Sequence, residues 1–297
     1  MKKIGYYLIR IVIWVFSLIP LWFLYAISDF LAFVFYRFGL YRKKMILANL
    51  RQAFPEKKED EIQRICKDFY KNFSDILLEG IKGFSMSGDE IVKRYVIEKN
   101  PAIEKLQAKG QSFIVTTAHL ANWEWGVSAT GLYFDHRVLG VYKKLSHPDI
   151  NRYIERSRSL YNITLSEMGD TAKLLSTKHN LDPFALVLIA DQRPSNPRKA
   201  FWTHFLNRET AFFYGAEKFS FDYNYPVFFF DIIRVKRGYY RVEIDLLCEN
   251  PAEFKKGEII KRYRDKLERS IRERPAQWLW SHNRWKHTRP KEMPIQD

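Results

Sequence analysis

The sequence predicts an α/β domain, a mixed central sheet flanked by helices, together with a hydrophobic N-terminal membrane helix. Three observations predict it. Short apolar runs rich in β-branched and aromatic residues alternate with longer stretches whose apolar residues recur at helical spacing. Residues 11–27, IVIWVFSLIPLWFLYAI, carry no charge. The chain has 297 residues, 16% of them aromatic, enough for one sizeable core with at most a small appendage. The predicted division is a membrane anchor over 1–40 and one large domain over 41–297.

The apolar stretch between Arg10 and Asp29 is about 27 Å long as a helix, close to the thickness of a bilayer core. It is too long and too aromatic for the core of a signal peptide. Tyr6, Tyr7, Trp14, Trp22 and Tyr25 are ring types favoured at membrane interfaces. Pro20 predicts a kink or a split into a dipping hairpin. Asp29 interrupts the run, and FLAFVFY continues it to Arg37. The alternative is a buried core helix. Basic residues on both flanks leave the orientation open, and the cluster Arg37, Arg42, Lys43, Lys44 favours an anionic cytoplasmic leaflet.

Helical patterns cover 43–54 and 57–82, broken at Pro55; in the second, Ile62, Ile65, Phe69, Phe73, Ile76 and Leu77 recur with charges between them. SFIVTTA (112–118) follows Gly110 and reads as a buried strand. A helix over 122–133, a strand near 137–142 and a helix near 148–161 come next. Residues 186–190 form another buried strand and 209–222 a helix. Residues 226–234 and 239–247 form a hairpin turning at Lys236-Arg237-Gly238, and a charged helix fills 253–274. Strands alternating with helices argue for a mostly parallel or mixed sheet.

Composition removes several functions. With 49 Lys+Arg against 34 Asp+Glu the net charge is +15, and the only cysteines are Cys66 and Cys248. A disulfide scaffold needs more cysteine, a disordered chain fewer aromatics, and a polytopic transporter a higher mean hydropathy than −0.34. The positive surplus leaves nucleic acid, an anionic membrane surface, or an acidic protein or substrate as partners.

The chemistry gathers where strands end, the place that α/β sheets use for ligands. His119 follows the 112–118 strand, and Glu124 stands five residues on. On one helix that spacing would turn the two side chains about 140° apart. With the His in a loop and the Glu in a first helical turn, Glu124 can hold one ring nitrogen and leave the other as a general base. A structural histidine is the plain alternative. The second strand ends in Asp191-Gln192-Arg193, read as site residues or as a loop cap. Arg156 and Arg158 lie on the 148–161 helix, which otherwise reads as a solvated face. Residues 277–286, QWLWSHNRWK, crowd three tryptophans among basic residues, either capping the fold or flanking a substrate. No His or Cys pair near the motif has zinc-ligand spacing. A membrane-anchored basic scaffold without catalysis is the reading of another class.

Taken together and in this order, these motifs resemble the late acyltransferases of lipid A biosynthesis, the lauroyl/myristoyl family of Gram-negative bacteria, related in kind to lysophospholipid acyltransferases. The resemblance covers nearly the whole chain: the apolar N-terminal segment, Asn49-Leu50 ahead of Phe54-Pro55, TAHLANWE, VYKKLSHP at 141–148, ADQRP, and PAQWLWSHNRWK. It implies His119 as general base, Glu124 as its orienting partner, Arg158 as an active-site arginine with Arg156 close by, and Asp191 in the same pocket. Lys143 stands where the family more often has Arg. Residues 197–205 match the family pattern weakly, while Thr210 and Ala211 fall where the family has a threonine- and alanine-rich helix start. The weak match bears on the acceptor more than on the reaction, since related enzymes acylate other glycolipids and aminoacyl lipids.

The implied reaction needs no cofactor and no metal. The implied partners are acyl carrier protein as donor and a lipid A precursor as acceptor in a bacterial inner membrane, with a monomeric catalytic domain facing the cytoplasm. The charge is distributed to suit them: Arg37–Lys44 sits beside the anchor, and residues 253–297 carry 13 Lys+Arg against 7 Asp+Glu. No nucleic-acid motif is present, so nucleic acid drops out as a partner.

Overall fold

A proline divides the N-terminal apolar segment. The computed structural model describes residues 2–142, 144, 151, 155, 161–177 and 183–297. Helix α1 (Lys2–Leu18) ends two residues before Pro20, which disfavours helical backbone in the residue ahead of it, and α2 (Leu21–Phe38) starts just after. Of the two outcomes expected at Pro20, a kink or a split, the chain takes the split. Asp29, read as an interruption, lies inside α2, and Gly39 at φ 65 ends that helix. Among the described residues α2 is the one helix long and apolar enough to cross a membrane.

α2 does not stand away from the rest of the chain. Its Leu24, Ser28 and Ala32, spaced four apart, are buried against α4 (Glu59–Lys82). The two helices run antiparallel: Tyr25 meets Glu79, Ser28 meets Asp75, and Tyr36 reaches Gln63. The opposite face of α2 exposes Trp22, Phe23, Phe30, Phe33 and Phe38. α3 (Lys43–Ala53) packs on the other end of α4.

The sheet has seven strands in the order β1 (Tyr95–Ile97), β9 (Tyr239–Cys248), β8 (Val227–Lys236), β2 (Phe113–Thr117), β5 (Phe184–Ile189), β3 (Arg137–Tyr142), β4 (Ile163–Glu167). All pairs are parallel except the β8–β9 hairpin, which turns at Gly238 with φ 72. Every residue of β2 is buried, as a central strand covered on both faces requires. The predicted mixed sheet flanked by helices is thus present.

Helices α5 (Gly88–Arg94), α6 (Pro101–Ala108), α7 (Trp123–Tyr133) and α8 (Thr171–Ser176) surround it, with α9 (Gly215–Tyr223) and α10 (Glu258–Glu273). The short β1 and β4, α5, α6 and α8 have no counterpart in the sequence reading. The expected helix over 253–274 starts later, at Glu258. The backbone N–H groups of Gly257, Ile259 and Ile260 there donate to the buried Glu217 carboxylate. This side chain caps the helix from outside it.

The expected helix over 209–222 is overturned in its first part. β6 (Phe201–Phe205) and β7 (Arg208–Phe212) form a separate antiparallel hairpin, so Thr210 and Ala211 lie in a strand. Leu206 and Asn207, at φ 51 and 63, supply the primed turn that matches strand twist. The aromatic run that follows favours a pleated surface, and the helix waits until Gly215. The predicted helix near 148–161, with Arg156 and Arg158, lies outside the described residues apart from Asn151, Glu155 and Tyr161; Lys143 lies outside them too.

Candidate active site

Parallel pairing brings the two polar strand ends together. In the β2–β5 ladder Thr117 faces Ile189, a separation of 72 residues, and His119 and Asp191 are also 72 apart. Both chains therefore leave the ladder in step, two residues past its last pair. Ala190 N–H still donates to Thr117 C=O at 3.0 Å, which carries the register up to the site.

His119 Nδ1 lies 2.7 Å from Asp191 Oδ1, and Trp278 Nε1–H donates to Oδ2 at 2.8 Å. Asp191 is 3% exposed and the His119 side chain 17%, so the carboxylate is sealed while the ring reaches the surface of the site. Burial by itself would raise the Asp191 pKa. The attraction of His119 and the hydrogen bonds from His119 and Trp278 outweigh it and hold the carboxyl below its usual value. An ionised Asp191 accepts from Nδ1–H, so Nε2 carries the ring's lone pair. The Gln192 amide nitrogen sits 3.1 Å from Nε2 and donates to it, and the Trp123 ring lies edge-on to the imidazole at 5.2 Å.

The carboxylate that meets a ring nitrogen of His119 at 2.7 Å is that of Asp191. Both ring nitrogens of His119 are engaged by residues of the 191–192 turn. Glu124 Oε1 accepts from Trp123 Nε1 at 3.1 Å, and its side chain lies over Gly80 of α4. Glu124 sits in the first turn of α7, two residues after Asn122. The Asn122 Oδ1 accepts from Trp125 N–H and caps the helix.

The loop between β2 and α7 is strained and held. Ala121 adopts φ 44, a left-handed conformation that costs a non-glycine residue about 1–2 kcal/mol. The C-terminal segment fixes it from one side: Ala121 N–H donates to Gln277 C=O at 2.8 Å, and Leu279 N–H donates to His119 C=O at 3.2 Å. That segment is in turn packed on α3, where Asn49 donates to the Trp280 carbonyl and the Phe54 ring meets Trp280. Trp278 and Trp280 are buried, so the tryptophan-rich signature caps the fold over the site and does not form an exposed surface.

Positive charge lies behind the pair. Arg284 is 3% exposed, its Nη2 donates to Ala211 C=O at 2.6 Å, and its guanidinium stands over the Phe212 ring. Burial pushes its pKa down to about 10, against the pull of Asp191 and Tyr263. His282 is pushed down to about 4, by burial first and then by Arg284 and Arg193, so it is neutral near pH 7. Arg193 donates to the Asn283 carbonyl, which leaves it a structural tie between the turn and the C-terminal segment.

Among the described residues no group of three or more His, Cys, Asp or Glu converges on a metal position. A groove of about 1020 Å³ lies at the opposite, amino ends of the strands, between Lys105, Gly110, Pro183, Tyr225 and Asn250, away from the His119 pair. What the arrangement can do chemically is take a proton at Nε2 while Asp191 stabilises the resulting imidazolium. Gln192 and Trp278 were visible only as members of motifs. Glu79, which reaches Asn122, was legible as one signal: it continues the apolar stripe of α4 from Phe73 and Ile76 with a charged side chain.

The family model for bacterial lipid A biosynthesis acyltransferase matches residues 1–287 of the chain. No curated protein matches it.

Proposed function

The chain belongs to the bacterial lipid A biosynthesis acyltransferases, and from that premise we propose that it moves a fatty acyl chain from acyl carrier protein to a hydroxyl of a lipid A precursor, with His119 as general base. The observation that carries this reading is the 2.7 Å contact of Asp191 with Nδ1, which directs the basic lone pair of Nε2 outward.

The acceptor hydroxyl takes the place now held by the Gln192 amide. Its oxygen attacks the thioester carbonyl carbon as Nε2 removes its proton, and the carbonyl electrons move onto oxygen. Collapse of that intermediate breaks the C–S bond, and the imidazolium returns the proton to the departing thiolate. General-base help of this kind contributes about 10²–10⁴-fold. Arg158 and the backbone N–H groups at the start of α7 are assigned to the oxyanion. Asp191 keeps its charge throughout, and Glu124 stands in the first turn of α7, its carboxylate accepting from Trp123.

Membrane association follows from α1 and α2. α2 is held against charged α4 over the stretch from Tyr25 to Tyr36, about 16 Å. Spanning would draw α4 into hydrocarbon. We therefore read α2 as lying in the plane of the bilayer surface, its phenylalanine face down, on the cytoplasmic side of a bacterial inner membrane. The basic residues beside it favour anionic lipid.

The test is His119→Ala in the purified full-length enzyme, assayed with an acyl-carrier-protein donor and a lipid A precursor. The expected result is a loss of at least a hundredfold in transfer rate. A rate equal to wild type removes His119 from the reaction. Mass spectrometry of the lipid product identifies the acylated acceptor and the chain length.

A further inference from the structure

Glu79 is a fully buried carboxylate that the acyl-transfer chemistry does not use. Its Oε1 accepts from the Tyr25 hydroxyl at 2.8 Å. Its Oε2 accepts from Asn122 Nδ2 at 2.7 Å and from the Tyr240 hydroxyl at 2.6 Å. The Glu79 backbone carbonyl accepts from Trp125 Nε1 at 2.7 Å. The four donors come from three places: α2, the loop and first turn that follow His119, and β9.

Burying a carboxylate is costly unless its lone pairs are filled, so this group tolerates little movement of any donor. The consequence falls on Asn122. Its Nδ2 is fixed by Glu79 and its Oδ1 by Trp125 N–H, three residues past His119 and directly after the strained Ala121. The other side of the group is fixed as well. One turn earlier on α4, Asp75 accepts from Ser28 of α2 at 2.6 Å, from Arg234 at 2.5 Å and from Arg237 at 2.6 Å. Arg237 also pairs with Asp29 at 2.7 Å and donates to the Tyr25 carbonyl. The polar side of α2 is therefore seated on two buried carboxyl groups, Asp75 and Glu79, and Glu79 reaches the histidine loop.

We propose that Glu79 is a positioning residue for His119, joining the seating of α2 to the geometry of the catalytic loop through Tyr25 on one oxygen and Asn122 on the other. The proposal rests on His119 being the base. On this account the membrane-facing helix is part of the machinery that sets the loop, and loosening Tyr25 lowers turnover without touching substrate contacts.

The experiment compares full-length wild type, Tyr25→Phe, Glu79→Gln and His119→Ala in detergent micelles. It uses steady-state kinetics with an acyl-carrier-protein donor and the downfield proton resonance of His119 Nδ1–H. Tyr25→Phe is expected to lower kcat about tenfold and Glu79→Gln about a hundredfold, each with KM within twofold of wild type. In both the Nδ1–H resonance shifts or broadens. An unchanged kcat or an unchanged resonance in folded Tyr25→Phe overturns the proposal, and this variant decides alone if Glu79→Gln does not fold. Wild-type turnover in His119→Ala instead overturns the general-base reading, while the resonance still reports on the positioning.

Discussion

Trp278 and His119 hold the two oxygens of one carboxylate: the indole N–H donates to Asp191 Oδ2 at 2.8 Å and the imidazole contacts Oδ1 at 2.7 Å. The tryptophan comes from the C-terminal segment, so the last part of the chain fixes a pair built by two strands much earlier in it.

Trp278→Phe keeps the ring in the core and removes the N–H. A hydrogen bond to a charged group is worth about 1.5–3 kcal/mol, and its loss leaves Oδ2 buried and short of a donor. The expected outcome is a lower melting temperature and a kcat reduced about tenfold or more, read by calorimetry and initial acyl-transfer rates. Wild-type kcat in this variant shows that the indole does not hold the pair.

His282 ties stability to pH. Its folded pKa is lowered to about 4 from the ordinary 6.5, because burial and nearby arginines disfavour the cation. Between those values the unfolded chain binds a proton that the folded chain does not, so stability falls as pH drops from 6.5 towards 4 and this contribution levels off below it. Melting temperatures measured across that window should fall less steeply in His282→Gln than in wild type. Parallel slopes refute the assignment.

Phe30 and Phe33 stand on the exposed face of α2. Burying each ring in a bilayer is worth about 1.5–3 kcal/mol. Phe30→Ser combined with Phe33→Ser should therefore weaken partitioning into phosphatidylglycerol vesicles by about a hundredfold or more, measured by co-sedimentation. Unchanged partitioning places the membrane contact elsewhere.

Gly131 lets α7 lie against the chain entering β4. A Cβ there would come 2.2 Å from the Tyr161 backbone oxygen and 2.6 Å from Ile163 Cγ1. The backbone oxygen has no rotamer to give way, so Gly131→Ala should cost about 1–3 kcal/mol. Urea unfolding reads this as a lower midpoint at the same slope.

Much of the fold was legible because its signals are local. Val115 and its neighbours, all apolar or β-branched after a glycine, have little choice but a buried strand, and Asn122 ahead of an apolar helix is a recognisable cap. Thr210 misled because an apolar, aromatic run beside polar residues fits both periods, and the Leu206-Asn207 turn that decides it is visible only in backbone conformation.

The sequence by itself determined that two buried strands end in His119 and in Asp191-Gln192, that the N-terminus is apolar and broken at Pro20, and which family the motifs resemble. Only the tertiary structure decided that Asp191 meets the imidazole. That depends on β5 pairing directly beside β2 in a register of 72 residues, and register is a long-range choice set by which residues of each strand are buried. In the same way, Glu79 is one charged residue in a helical stripe until folding brings Tyr25, Asn122 and Tyr240 around it.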